Sequence, residues 1–290
     1  MKLKPWFLYA LVTTLFWGVW GAFTEIPEKG GFPVTLIYVV WSLTMIIPAL
    51  VGLGVIGWKL DRDRRSVLYG LVIGFLGAGG QLALFTGAIK HGPAYLIFPI
   101  ISLSPVITIL FSLVFLKERA GPRGWIGIAV AMLAIPLLSY QDPENGSWGL
   151  AWLAWALIVF FAWGLQAFFM KRANLHMKAE SIFFYMMLTG LLLAPVALAM
   201  TDFSEPINWG FRGPGLTAII QMLNAVGALC IVYAFRFGKA IVVSPLTNAV
   251  APVITVILSL LIYQAVPHPV VITGMGMAAV SVFLLALEDA

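Results

Sequence analysis

The stretch SPVITILFSLVFL at residues 104–116 returns as APVITVILSLLIY at residues 251–263, which is 147 positions further along the chain. The matches continue outside it. FWG at 16–18 corresponds to AWG at 162–164, and AIKHGPA at 88–94 corresponds to AFRFGKA at 234–240. A repeat spanning half the chain predicts two copies of one structural unit. We place the copies at residues 1–142 and 143–290.

The composition is typical of a membrane protein and excludes a soluble domain. Hydrophobic residues make up 61% of the chain, charged residues only 10%, and the mean hydropathy is +1.00. A hydrocarbon core about 30 Å thick takes roughly 20 apolar residues per helix. Charge-free runs near that length lie approximately at Trp6–Thr24, Pro33–Trp58, Ser66–Ile89, Pro93–Leu116, Gly124–Tyr140, Trp148–Met170, Ser181–Thr201, Gly213–Phe235, Ala240–Pro267 and Pro269–Leu287. We therefore expect an all-α integral membrane protein with ten transmembrane helices.

The basic residues indicate how these helices are oriented. If the N-terminus is cytoplasmic, 14 of the 17 Lys and Arg residues fall in cytoplasmic segments, and only Lys29, Lys90 and Arg212 fall outside. Cytoplasmic loops of membrane proteins carry such an excess. The net charge of +5 is therefore explained without a nucleic-acid partner. The distribution predicts a multi-pass membrane protein with both termini in the cytoplasm.

Each copy holds five predicted helices, and this odd number has a consequence for topology. The second copy must enter the bilayer from the side opposite to the first, so the two five-helix repeats are inverted. Inverted repeats are the architecture of many secondary transporters, which bind substrate near the bilayer midplane where the repeats meet.

The repeated motifs resemble those of EamA-type members of the drug/metabolite transporter superfamily. They are Trp-Gly in the first helix of each copy, a third helix rich in small residues, Gly-x-Ala at the entry to the fourth helix and Pro-Val near its middle. The resemblance implies a ten-helix inner-membrane carrier with a central cavity lined mostly by helices one, three and four and by helices six, eight and nine. The family often has Gly-Glu after each fourth helix, whereas this chain has Lys117 and Glu118 in the first copy and Gln264 in the second.

The predicted helices contain no Asp, Glu, Lys, Arg or His in their interiors. Ionisable groups inside a membrane usually mark ion or proton pathways, so their absence argues against a charged substrate. We expect a secondary transporter that moves a small neutral or amino-acid-like zwitterionic metabolite by alternating access, with export favoured by the resemblance. The alternatives are an uptake carrier, a channel-like facilitator for small polar solutes, and a non-transporting receptor.

Polar and aromatic residues recur at helical spacing within the predicted helices and are candidates for binding this substrate. They are Tyr9, Thr13, Trp17, Trp20, Gln81, Phe85, Tyr95, Phe98, Ser102, Trp163, Gln166, Gln221, Asn224, Ser244 and Asn248. The alternative is structural: amides and hydroxyls also bond across packed helices, and tryptophans also form interfacial belts.

Prolines and two titratable residues are further candidates. Pro99, Pro105, Pro245 and Pro252 interrupt the fourth helix of each copy and are expected to act as hinges or gates, or simply to pack. Glu25 and His91 are the outer titratable groups to consider if protons are the coupling ion.

An enzyme is not expected from this sequence. Catalytic motifs such as G-x-S-x-G and H-E-x-x-H are absent, and the three histidines fall in separate loops. The single cysteine, Cys230, has no partner. We predict neither a metal site nor a cofactor.

Overall fold

The computed structural model describes residues 4–88, 91, 97, 100–138, 140, 151–263 and 268–287. All regular secondary structure in these ranges is helical. The helices of the first half are α1 Pro5–Phe23, α2 Glu25–Lys29, α3 Val34–Thr44, α4 Ile46–Val55, α5 Arg64–Ala83, α6 Pro105–Phe111 and α7 Pro122–Leu138. Those of the second half are α8 Ala151–Ala173, α9 Ala179–Ala199, α10 Leu216–Phe237, α11 Ala240–Tyr263 and α12 Pro269–Ala286.

Three π-helical turns extend these helices. They are Leu84–Ala88 after α5, Ser112–Leu116 after α6 and Phe211–Gly215 before α10. The helix starts follow local sequence signals. Proline lies in the first turn of α1, α6 and α12, where its missing N–H has no helical partner to lose. Asp63 precedes α5 and accepts hydrogen bonds from two backbone N–H groups of the first turn, both at 3.1 Å.

Seven helical segments are long and apolar enough to cross a membrane, judged by length and composition. Three shorter apolar helical segments, Ile100–Leu116, Pro122–Leu138 and Pro269–Leu285, overlap the fourth, fifth and tenth predicted spans. The prediction of an all-α multi-pass membrane protein is therefore confirmed. The number of ten crossings and the placement of the termini stay predictions.

The stretch that repeats in the sequence makes the same contact in both halves. A Cβ atom on Gly18 of α1 would lie 2.4 Å from Ile254 of α11, and the hydroxyl of Thr255 donates to the Gly18 carbonyl at 2.9 Å. In the other half, a Cβ atom on Gly164 of α8 would lie 2.5 Å from the equivalent isoleucine of α6, and Thr108 donates to the Gly164 carbonyl at 2.9 Å. The Trp-Gly motif of each half thus packs against the Pro-Val-Ile-Thr motif of the other.

The final helices of the two halves, α7 and α12, pack against each other directly. A Cβ atom on Gly127 would lie 3.0 Å from Leu285, and one on the equivalent Gly274 would lie 3.1 Å from the side chain of Leu138. The start of each helix therefore meets the end of the other. Two helices that occupy equivalent positions in the halves run antiparallel.

The largest buried cluster lies at one end of the bundle. It includes Trp6 at the start of α1, Met170 near the end of α8, Phe235 near the end of α10 and Ile241 at the start of α11. We call this the basic end, because basic residues crowd the helix termini there: Arg62, Arg64, Arg65, Lys171, Arg172, Lys178, Arg236 and Lys239. Apolar side chains pack together at the basic end, and a cavity lies further into the bundle.

Candidate functional site

A cavity of about 470 Å³ lies at the centre of the bundle, where both halves contribute its walls. It extends from Met170 and Phe235, near the basic end, to Tyr140 and Val256, toward the opposite end. Small residues on α5, Gly74 among them, form part of its wall. The volume lies within the range of about 300–1,000 Å³ for small-molecule sites.

Nine of the residues predicted from sequence line this cavity. They are Trp17, Trp20, Gln81, Ser102, Trp163, Gln166, Asn224, Ser244 and Asn248. They come from α1, α5, α8, α10, α11 and the segment that precedes α6, so the structure brings together residues from both halves.

Four predicted residues lie elsewhere. Tyr9 stacks on Tyr233 with the ring centroids 4.9 Å apart, and the buried hydroxyl of Thr13 donates to the Gly227 carbonyl at 3.2 Å. Phe85 and Gln221 border a much smaller adjoining cavity of about 10 Å³. The two remaining candidates, at positions 95 and 98, lie outside the described residues.

Asn224 on α10 holds two of the cavity tryptophans in place, one through its side chain and one through its backbone carbonyl. The indole N–H of Trp41 donates to Asn224 Oδ1 at 2.8 Å, and that of Trp17 donates to the Asn224 backbone carbonyl at 3.2 Å. A third indole, that of Trp20, donates to Gln221 Oε1 at 3.1 Å. Since their N–H groups are occupied, these tryptophans present ring surface to the cavity.

Several amide groups around the cavity remain available for a ligand. The side-chain amides of Gln81 and Gln166 have no hydrogen-bond partner in the part of the chain that the structure describes. Asn248 donates to the Ser244 carbonyl at 3.0 Å through Nδ2, which leaves its Oδ1 to accept. Asp, Glu, Lys, Arg and His are all missing from the described lining. The cavity therefore offers aromatic surface and neutral hydrogen-bonding groups.

Sequence reasoning missed Trp41 in particular. It lies on α3, in the second predicted helix, whereas the cavity was expected to be lined mostly by helices one, three and four and their counterparts. A tryptophan several turns from either end of a predicted span is the signal that could have found it. Other lining residues that were not predicted include Met45, Ser104, Tyr140, Met186 and Thr255.

The predicted hinge prolines differ between the halves. Pro105 is the first residue of α6 and follows a turn at Leu103 and Ser104. Pro245 and Pro252 lie inside the continuous helix α11, and Pro252 also lines the cavity. The proline at position 99 lies outside the described residues. The fourth helix is thus interrupted in the first half and continuous in the second.

The two candidate proton-coupling residues lie away from the cavity lining. Glu25 forms an ion pair with Lys29 at 2.6 Å, and its side chain is 62% exposed. His91 is exposed, and its Nδ1 donates to the Gly87 carbonyl at 2.7 Å. Any coupling through them would have to act at the surface.

Glu118 has a role that its sequence position did not reveal. It follows α6 yet reaches the start of α11, where its Oε2 accepts from the Ile241 backbone N–H at 3.1 Å. Its Oε1 lies 3.9 Å from Lys171 Nζ, which itself donates to the Gly238 carbonyl at 2.6 Å. The Glu118 side chain is only 8% exposed, and this burial raises the pKa of its carboxyl above the usual 4.5. Glu118 and Lys171 together link the end of α8, the residue after α10 and the start of α11 at the basic end.

The chain is similar to known proteins in both sequence and fold. The model of the EamA-like transporter family matches residues 4–140 and again residues 150–287. The chain is 27% identical over 212 residues to the pseudopaline exporter CntI of Pseudomonas aeruginosa, which covers 73% of this chain and 72% of that protein. It is 20% identical over 271 residues to the uncharacterized transporter YojE of Bacillus subtilis, covering 90% and 86% of the two chains. One crystal structure matches with a TM-score of 0.78 at 15% identity, over 98% of this chain and 96% of that one, and this likeness shows the fold alone.

Proposed function

The chain belongs to the EamA-like transporter family, and from this membership we propose that it moves a small neutral or zwitterionic, amino-acid-like metabolite across the membrane by alternating access. The central cavity carries the proposal. Its described lining combines tryptophan rings with amides and hydroxyls and contains no Asp, Glu, Lys, Arg or His. A substrate with net charge would lose its hydration without gaining a counter-charge there.

A zwitterion is compatible with such a lining because its two charges are close together. Amide groups can accept from an ammonium and donate to a carboxylate. Asn248 Oδ1 provides an acceptor, while the amides of Gln81 and Gln166 provide both donors and acceptors. The ring faces of Trp17 and Trp163 would contact the apolar part of the substrate.

Alternating access requires that the halves rearrange about the site. The antiparallel contact of α7 with α12 supports the proposal that residues 1–142 and 143–290 are inverted repeats. The packed basic end supports a state in which the cavity faces the opposite side. With the basic end in the cytoplasm, we propose ten crossings in the inner (plasma) membrane, both termini inside, and a cavity that faces outward.

The direction of transport is proposed from the relatives. One of them is named as an exporter, of pseudopaline, and this supports export over uptake. If transport is coupled to protons, Glu25 and His91 are the residues to replace first because they lie near span ends.

The experiment has two stages. A thermal-shift screen of the purified protein against neutral, zwitterionic, cationic and anionic metabolites identifies the ligand class, because a ligand that binds only the folded state raises the unfolding temperature. The best ligand is then tested in proteoliposomes for counterflow, with radiolabelled ligand outside and unlabelled ligand inside.

The variants Trp17→Ala and Asn248→Ala are compared with Trp58→Ala, whose tryptophan is 62% exposed and lies outside the cavity. We expect saturable counterflow that both cavity variants weaken and the control retains. Flux that does not saturate would indicate a channel, binding without flux would indicate a receptor, and a preference for cationic or anionic ligands would refute the neutral-site argument.

A further inference from the structure

Two arginines converge at the basic end, where α5 packs against α8. Arg172 Nε donates to the hydroxyl of Tyr69 at 2.8 Å, and the guanidinium carbon of Arg65 lies 5.7 Å from the centre of the Tyr69 ring. Arg65 Nη2 also donates to His176 Nε2 at 2.9 Å. The two cations are held by a phenol and an imidazole, neither of which is an anion at neutral pH.

The carboxylates nearest in sequence are engaged with other groups. Asp61 accepts from the backbone N–H of Lys178 at 2.8 Å and pairs with its Nζ at 3.4 Å, and Asp63 caps the start of α5. In the described ranges, neither Arg65 nor Arg172 has a carboxylate oxygen within 4.0 Å. Like charges held close together without a counter-ion repel each other. An anion placed between them would relieve that repulsion.

The surface beside this cluster is apolar. Leu68, one turn along α5 from Arg65, is 62% exposed, and Phe75, two further turns along, is 61% exposed. On α8 the neighbouring surface includes Phe161, which is 50% exposed. Because the protein is a multi-pass membrane protein, these side chains face hydrocarbon. The surface therefore places two guanidinium groups at one end of a strip suited to acyl chains.

The equivalent seam in the inverted half, between α10 and α1, does not have this composition. By the repeat offset, Arg65 corresponds to Arg212, but Tyr69 corresponds to Leu216 and Arg172 to Ile26. The cluster is therefore not a consequence of how the fold packs its third helix against the first helix of the other half. Among the described residues, the cluster lies at the basic end, and its counterpart positions do not form a similar one.

We propose that Arg65, Arg172 and Tyr69 bind the phosphate group of an anionic phospholipid, with its acyl chains along Leu68 and Phe75. A guanidinium group matches two phosphate oxygens at once, and the Tyr69 hydroxyl donates to a third when phosphate replaces it as the partner of Arg172. In the proposed orientation this lipid lies in the cytoplasmic leaflet. The site is separate from the central cavity and does not depend on the identity of the transported substrate.

Native mass spectrometry of the full-length protein tests the proposal. The protein is released from detergent with equimolar phosphatidylglycerol and phosphatidylcholine, which differ in net charge but share acyl chains. We expect preferential retention of phosphatidylglycerol by the unmodified protein. Arg65→Gln and Arg172→Gln should each weaken its binding about fivefold, since a basic residue near the surface contributes about that factor. Arg65→Lys, which keeps the charge without the planar fork, should give a smaller loss.

The matched control is Arg64→Gln, which removes the same charge from the adjacent, exposed position of α5. It should leave lipid retention unchanged, and the unfolding temperatures of all variants in lipid-free detergent serve as the folding check. Equal losses for Arg64→Gln and Arg65→Gln would mean a diffuse surface charge and would overturn the site. If sn-glycerol 3-phosphate or inorganic phosphate displaced phosphatidylglycerol at equal concentration, the ligand would be a soluble phosphate and the lipid assignment would be wrong.

Discussion

Replacing Gly18 with alanine is expected to destabilise the protein, because α1 and α11 approach too closely at this position for a side chain. The added Cβ would lie 2.4 Å from Ile254 Cβ, 2.6 Å from its Cγ2 and 2.9 Å from the Ala251 carbonyl oxygen. Carbon atoms normally pack about 3.5–4.0 Å apart. The helices must therefore separate, which also strains the hydrogen bond from Thr255 to the Gly18 carbonyl.

The magnitude follows from opposing contributions. Overpacking a tight interface costs about 1–3 kcal/mol, and a weakened hydrogen bond costs about 1 kcal/mol. Alanine in place of glycine in a helix interior stabilises the helix by about 1 kcal/mol. The net loss is about 2 kcal/mol, which corresponds to a fall in unfolding temperature of roughly 4–8 °C at about 2–4 °C per kcal/mol for a chain of this order of size.

The assay is thermal unfolding in detergent, followed by the fluorescence of the 11 tryptophans. Gly164→Ala, the equivalent change in the other half, should give a similar fall because its Cβ would lie 2.5 Å from the facing isoleucine. Gly276→Ala is the control, since nothing lies within 4 Å of its added Cβ, and it should keep or raise the unfolding temperature. If Gly18→Ala and Gly164→Ala unfold at the same temperature as Gly276→Ala, the reasoning about these crossings is refuted.

Thr108→Val and Thr255→Val each remove the hydroxyl that donates to a glycine carbonyl of the other half, and Thr108→Val also removes a long contact of 3.5 Å from the Ser244 hydroxyl. Each should cost about 1 kcal/mol in chemical denaturation, and the double variant should show the sum; a clear difference between the two would contradict the structural equivalence. Trp41→Phe releases the Asn224 amide and should weaken ligand binding several-fold in a thermal-shift titration, while the same change at the exposed Trp58 should not. Burial raises the pKa of Glu118, so folding favours the protonated form of this carboxyl relative to the unfolded chain. Its stabilising contribution is complete below 4.5, the unfolded value, and is lost as the pH rises through the higher folded value. As the pH falls from 7 toward 5, the unfolding temperature of the unmodified protein should therefore rise relative to that of Glu118→Gln. A difference between the two that does not change with pH would contradict the burial of this carboxyl.

The all-α membrane architecture could be predicted from the sequence because the bilayer leaves few solutions. A long apolar run must satisfy its backbone hydrogen bonds internally, so it must be helical. The internal repeat then indicated which segments are equivalent. The contact between the repeated motifs was harder to predict from the sequence, because Gly18 and Thr255 are 237 positions apart and neither motif indicates which segment it packs against.

The residues around the cavity were predictable only in part. Helical spacing favoured Trp17 and Asn248, which line the cavity, but it also favoured Tyr9 and Thr13, which lie on neighbouring turns of α1 and pack against α10. Periodicity identifies the face of a helix and not how far along the helix a cavity extends. The position of Trp41 inside its predicted span was a usable signal, but its hydrogen bond to the Asn224 amide on α10 could not be predicted from its own helix.

The fourth helices of the halves differ in a way that makes the two halves unequal in energy. In the first half, five residues separate the prolines at 99 and 105, and the chain turns at Leu103 and Ser104, whose N–H groups bond three residues back at 3.2 and 3.0 Å. In the second half, six residues separate Pro245 from Pro252, and α11 runs through both. A transporter with identical inverted halves would populate its two states equally, because each state would be the other turned over. Here the interrupted helix belongs to the first half. Glu118, which follows that helix, accepts from a backbone N–H at the start of α11, the continuous helix of the second half. Since the second half has no acid at the corresponding position, this contact can form only at the basic end. In the proposed alternating-access cycle, this contact would favour closure of that end over closure of the opposite one.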